Sequence, residues 1–131
     1  MSGQTLDIGV VTDEVSLDLE EALAVSWDWG IRRFELRAGS KNRFPYFTDR
    51  EVRLVDEAVR DGAQITAVSP GILKGSVKDE ERLQRELEEV LPRAIQQAHR
   101  FECQRIIVFG FSRHKNEPDD SRARVLKAFE E

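Results

Sequence analysis

An apolar run at Phe34-Glu35-Leu36-Arg37 stops on an acid and a base, a pair of residue types able to do chemistry. A carboxylate there can accept hydrogen bonds from hydroxyl groups or help move a proton, and a guanidinium can hold an anionic or hydroxyl-rich group. Strand side chains alternate, so Phe34 and Leu36 share one face while Glu35 and Arg37 share the other. Charged groups stay out of cores unless paired, so this strand lines a polar cavity or lies half exposed, a salt-bridged strand end being the plainer alternative. Ser69 and Lys74 flank Pro70-Gly71-Ile72-Leu73 after a second apolar run, and His114 falls in Ser112-Arg113-His114-Lys115 after a third. Asp13 and Glu14, in Thr12-Asp13-Glu14, complete the set of candidates.

The elements that must position these residues follow from periodicity. Leu6 to Val11 reads as a first strand, with Ser16 as the N-cap of a helix bearing Leu19, Ala22, Leu23 and Ser26 on one face and stopping at Gly30. Trp27 and Trp29 lie at that helix's far end from the strand tips and are read as helix packing or cover rather than a ligand platform. A second strand, Arg32 to Arg37, leads into a basic and aromatic loop, Ala38 to Phe47. Thr48 and Glu51 make a capping box for a helix with Val52, Val55, Ala58 and Val59 on its apolar stripe, ending at Gly62. Ala63 to Ser69 is a third strand, halted by Pro70 and Gly71. Asp79 opens a long helical stretch in which Pro92 predicts a kink or short break just before it. Ile106, Ile107, Val108 and Phe109 stand in unbroken succession, so Arg105 to Phe111 reads as a fourth strand covered on both faces. A last helix runs from about Ser121 to Glu131.

Strand-helix alternation demands an α/β fold with a parallel sheet and right-handed crossovers, which brings all the strand-end loops to one edge. No glycine-rich phosphate fingerprint follows the first strand, which counts against a nucleotide-binding doubly wound sheet. The size, 131 residues, fits one domain spanning 1–131. Charged residues make up 34%, with 25 acidic against 20 basic and a formal net charge of −5. The basic side chains are scattered among acids, which argues against nucleic acid as a partner. A single cysteine, Cys103, excludes an internal disulfide and a cysteine-rich metal site. The start shows no basic region leading into an apolar run, and no window has the length of a membrane span. A cytoplasmic protein with no membrane partner is expected.

Taken in order, Gly9-Val10-Val11-Thr12-Asp13-Glu14, Phe34-Glu35-Leu36-Arg37 and Val68-Ser69-Pro70 with Lys74 resemble the amino-terminal half of the sugar phosphate isomerase/epimerase family, the xylose isomerase-like TIM barrels. The resemblance runs through Phe111. It implies half of a barrel, a parallel (βα)4 sheet with strand order 1-2-3-4, acting on a sugar or small hydroxy-carbonyl compound. A complete barrel takes about 200 residues or more, and only four of its eight units are present. On this resemblance Glu35 is the catalytic candidate, with Arg37, Ser69, Lys74 and His114 on the substrate side. The family's metal ligands come mainly from later strands, so no residue here is assigned to a metal. A divalent ion (Mn, Mg, Co or Zn) is expected only in a complete barrel. The endonuclease branch of the fold places histidine ligands after strands three and four, where this chain has Ser69 and Phe109-Gly110-Phe111, so that activity is not expected. The isolated chain is expected to be inactive, and its open edges predict a homo-oligomer or a complementary half barrel as partner. The alternative is a non-catalytic (βα)4 protein that dimerises for binding or scaffolding.

Overall fold

The computed structural model describes residues 6–112 and 120–130. Three parallel strands, β1 (Gly9–Val11), β2 (Arg33–Leu36) and β3 (Gln64–Val68), lie side by side in the order β1-β2-β3. β1 is shorter than expected, leaving Leu6 and Ile8 exposed ahead of it. It pairs Gly9 with Arg33 and Val11 with Glu35. Between β2 and β3 the register slips: Phe34 pairs with Ile65 but Glu35 with Ala67. The extra residue, Thr66, keeps Ile65 and Val68 on the face of Phe34 and Leu36 despite their odd spacing, and its hydroxyl donates to the Phe34 carbonyl at 3.2 Å.

The helices are α1 (Thr12–Val15), α2 (Leu19–Asp28), α3 (Asp49–Arg60), α4 (Glu80–Arg85), α5 (Leu91–Arg100) and α6 (Asp120–Glu130). The short α1 takes up the residues after β1, so Ser16 is extended and Asp18 replaces it as the cap of α2. The Asp18 carboxylate accepts from the Glu20 and Glu21 amides, while the Ser16 hydroxyl accepts from the Asp18 amide and donates to Glu21. The capping box of α3 forms as expected. Each of α2, α3 and α5 ends on a left-handed residue, Gly30, Gly62 and, without a glycine, Glu102 at φ +56°. In all three the next amide closes back on the helix, from Ile31 to Ser26, Ala63 to Ala58 and Cys103 to Ala98.

Ahead of Pro92 the helix loosens into a π turn, Glu86–Val90, the break expected there. Glu86 is buried, and its carboxylate accepts from the Leu73 amide at 2.6 Å and from Arg82 Nε at 2.8 Å. The loop after β3 is thereby fastened to the helix with Leu73 at φ +60°.

With sequential strand order, right-handed crossovers must put every connecting helix on the same side of the sheet. One core accordingly joins Phe34, Leu36, Ile65 and Val68 to Leu19 and Leu23 of α2, Val52, Val55 and Ala58 of α3, and Ala94 and Ala98 of α5.

The expected fourth strand is reduced to a single parallel bridge between Val68 and Ile106. Val68 donates to the Arg105 carbonyl, and Ile107 donates back to Val68. Because the bridge falls on the last residue of β3, the segment that follows has no strand left to pair with. It runs instead beside the next loop, Phe109 donating to Ile72, Phe111 to Leu73 and Ser112 to Gly75. Coverage on both faces is also corrected: Val108 is 40% and Phe109 38% exposed. Among the described residues no helix is long and apolar enough to cross a membrane.

Candidate functional site

The face of the sheet opposite the helices is polar. Arg33 and Glu35 of β2 project onto it beside Thr66, and with Asp7, Gly9, Val10 and Val11 they line an open cleft of about 380 Å³. Arg33 is held there by Asp7 at 3.2 Å. The Glu35 carboxylate makes no hydrogen bond among the described residues, so both its oxygens remain able to accept from a ligand.

At the carboxyl ends of the strands, Arg37 is tied to the residues after β1. Its Nε lies 3.1 and 3.2 Å from the two Asp13 oxygens and its Nη2 lies 2.8 Å from one of them, with Glu14 at 3.5 Å. The hydrogen bond to Asp13 raises the Arg37 pKa above its usual value, assisted by the charges of Asp13, Glu14 and Glu35. Such a two-point clasp fixes the β1 and β2 ends relative to each other. Arg37 therefore points its charge at Asp13 first.

Ser69 is buried directly after β3. Its carbonyl and hydroxyl oxygens both receive hydrogen bonds from Arg43, from Nε at 3.2 Å and from Nη2 at 3.1 Å. Arg43 belongs to the loop after β2, which is shaped by Glu51. That buried carboxylate accepts from the Thr48 amide and hydroxyl and from the Ser40 amide, and it occupies the space where a side chain at Gly39 would stand. Phe44 and Phe47 meet edge to face and anchor the same loop in the core, while Tyr46 between them is exposed.

Of the sequence candidates, Glu35, Arg37, Asp13 and Glu14 gather at the β1 and β2 ends, and Ser69 stands at the end of β3. Lys74 is exposed, with its ammonium 4.4 Å above the Phe109 ring and no described contact to Glu35, Arg37 or Ser69. His114 lies outside the described residues. His99 sits in the last turn of α5. Arg43 and Arg33 were not singled out by sequence reasoning. Both are basic residues among many, and only long-range pairing, with Ser69 and with Asp7, distinguishes them.

Among the described residues no three His, Cys, Asp or Glu side chains converge to hold a metal. Asp13, the carboxylate at the end of β1, is engaged by Arg37, and Glu35 is a single donor. This set does not fit the divalent ion that the family resemblance implies. Comparison with protein-family models finds no match for the sequence, and comparison with curated proteins likewise finds none.

Proposed function

We propose that this chain supplies the substrate-side, amino-terminal part of a barrel-type sugar or hydroxy-carbonyl isomerase or epimerase, as a (βα)4 half barrel of the xylose isomerase-like kind. The observation that carries this reading is the one-sided sheet: helices on the Phe34 and Leu36 face, and an open polar face bearing Glu35. A doubly wound sheet covers both faces with helices, whereas a barrel wall carries them outside and turns its other face inward. The single parallel bridge of Ile106 to Val68 on the β3 side of the sheet supports the order 1-2-3-4 in this reading.

In this reading Glu35 accepts hydrogen bonds from sugar hydroxyls or helps move a proton, and the Arg37–Asp13 clasp sets its surroundings. Any divalent metal takes its ligands from outside the described residues. The chain works in the cytosol, where buried Cys103 remains a thiol, and is inert as an isomerase until its inner face is closed.

The test is co-expression with the carboxyl-terminal (βα)4 half of a xylose isomerase-like enzyme, followed by aldose–ketose assays. Activity abolished by chelator and reduced about a hundredfold or more by Glu35→Gln is expected. Steady turnover by the chain alone, indifferent to chelator, would overturn the reading. Exposed apolar residues at both ends of the sheet, Leu6 and Ile8 beside β1 and Val108 and Phe109 beyond β3, favour a second reading, a dimerising binding protein without catalysis. Sedimentation and assay together separate them: a stable dimer inactive with every complementary half supports the second.

A further inference from the structure

Arg43 carries a charge that the fold has partly desolvated, and no described residue forms an ion pair with it. Its guanidinium packs against Gly71, where an added Cβ would stand 2.6 Å from Cζ, and Gly71 itself sits at φ +72°. Two of its N–H groups are used, by the Ser69 carbonyl and hydroxyl. A guanidinium has five donors, so three remain. Both acceptors are neutral, and among the described residues Arg43 forms no ion pair. Burial lowers its pKa, the neighbouring charge of Arg37 lowers it further, and Asp13, already clasped to Arg37, offsets this only in part. Among the described residues this half-buried cation, beside a second cation and with donors unused, has no negative partner of its own.

We propose that Arg43, backed by the buried Ser69 hydroxyl and with Arg37 beside it, is the seat of an oxyanion, the phosphate or carboxylate end of a small ligand. The planar guanidinium fork matches either group through two parallel N–H···O bonds, which the ammonium of Lys74 cannot offer. Ser69, accepting from Arg43, keeps its own proton to donate to the anion. The loop after β2 and the loop after β3 meet at this pair, so an anion bound there grips both. The isomerase reading supplies the reason a small substrate would come to this edge, with its reacting carbons toward Glu35 and its anionic end at Arg43.

The experiment is titration of the full chain with inorganic phosphate, and separately with acetate, at constant ionic strength in chloride. The Arg43 Nε–H and the Ser69 and Gly71 amides are followed by nitrogen-15 NMR. Saturable shifts at these three groups are expected, absent in Arg43→Gln and with affinity weakened about tenfold in Arg43→Lys, which keeps the charge without the fork. Should Arg43→Gln fail to fold by circular dichroism, Arg43→Lys and Ser69→Ala carry the test, the latter weakening phosphate while leaving the Arg43 signal dispersed. Tighter phosphate assigns a phosphate end and tighter acetate a carboxylate end. Shifts unchanged by these variants, or no saturation with either anion, would overturn the proposal. Arg43-dependent binding with no activity in any complemented barrel would sink the isomerase reading alone. Activity without such binding would sink only the anion seat.

Discussion

The two faces of β2 are built from neighbouring residues and do opposite things. Phe34 and Leu36 are fully buried beneath three helices, whereas Arg33 and Glu35 stand on a face that no described helix covers, Arg33 paired with Asp7 and the Glu35 carboxylate with no described partner. Stability is concentrated on the first face because burying a large apolar side chain is worth about 1.5–3 kcal/mol. The second face contributes little to folding, since exposed ion pairs are worth about 1 kcal/mol or less. A side chain on it can be chosen for chemistry at small cost to the fold.

Substitutions can break or sharpen that contrast. Phe34→Ala or Leu36→Ala should destabilise by about 3–5 kcal/mol, enough to leave much of a domain this size unfolded, as read by urea denaturation. Gly39→Ala tests the loop that carries Arg43. A methyl there collides with the Glu51 carboxylate, so the bonds to Ser40 and Thr48 must yield, at about 1–3 kcal/mol by the same measurement. Glu35→Gln should shift the urea midpoint by no more than about 0.5 kcal/mol of stability. A loss as large as that of Leu36→Ala would mean the polar face is structural after all. A comparably small effect, of opposite sign, belongs to the helix ends: Glu102→Gly relieves a left-handed non-glycine residue costing about 1–2 kcal/mol, less the entropy a glycine adds to the unfolded chain. A net gain of about 0.5 kcal/mol should appear as a slightly higher melting temperature.

The features legible in the sequence were those fixed locally. Alternation in Phe34-Glu35-Leu36-Arg37 places two residues in the core and two out of it, Thr48 and Glu51 announce a helix start, and Gly30 and Gly62 mark two ends. Pairing between distant segments was not legible. Nothing near Thr66 signals the extra residue in β3, because a bulge exists only against a partner strand. Four consecutive apolar residues after Arg105 read as a buried strand, yet their fate depends on where Ile106 meets Val68, a register set by the helix and loop before it. At the site, an acid and a base at the end of β2 were evident from sequence. That Arg37 is claimed by Asp13 while Arg43, among the described residues, pairs with Ser69 and no carboxylate depends on contacts 24 and 26 residues apart.

The π turn at Glu86–Val90 works as a phase shifter in a gear train. Each residue advances a helix by about 100°, so one surplus residue turns everything after it relative to everything before. Glu86 can thus engage the Leu73 amide while Ala94 and Ala98, on the same rod, still mesh with the sheet. Deleting one residue between Glu86 and Val90 would give a more regular helix and a worse protein: with α5 locked in the core, Glu86 would swing away and release the loop after β3.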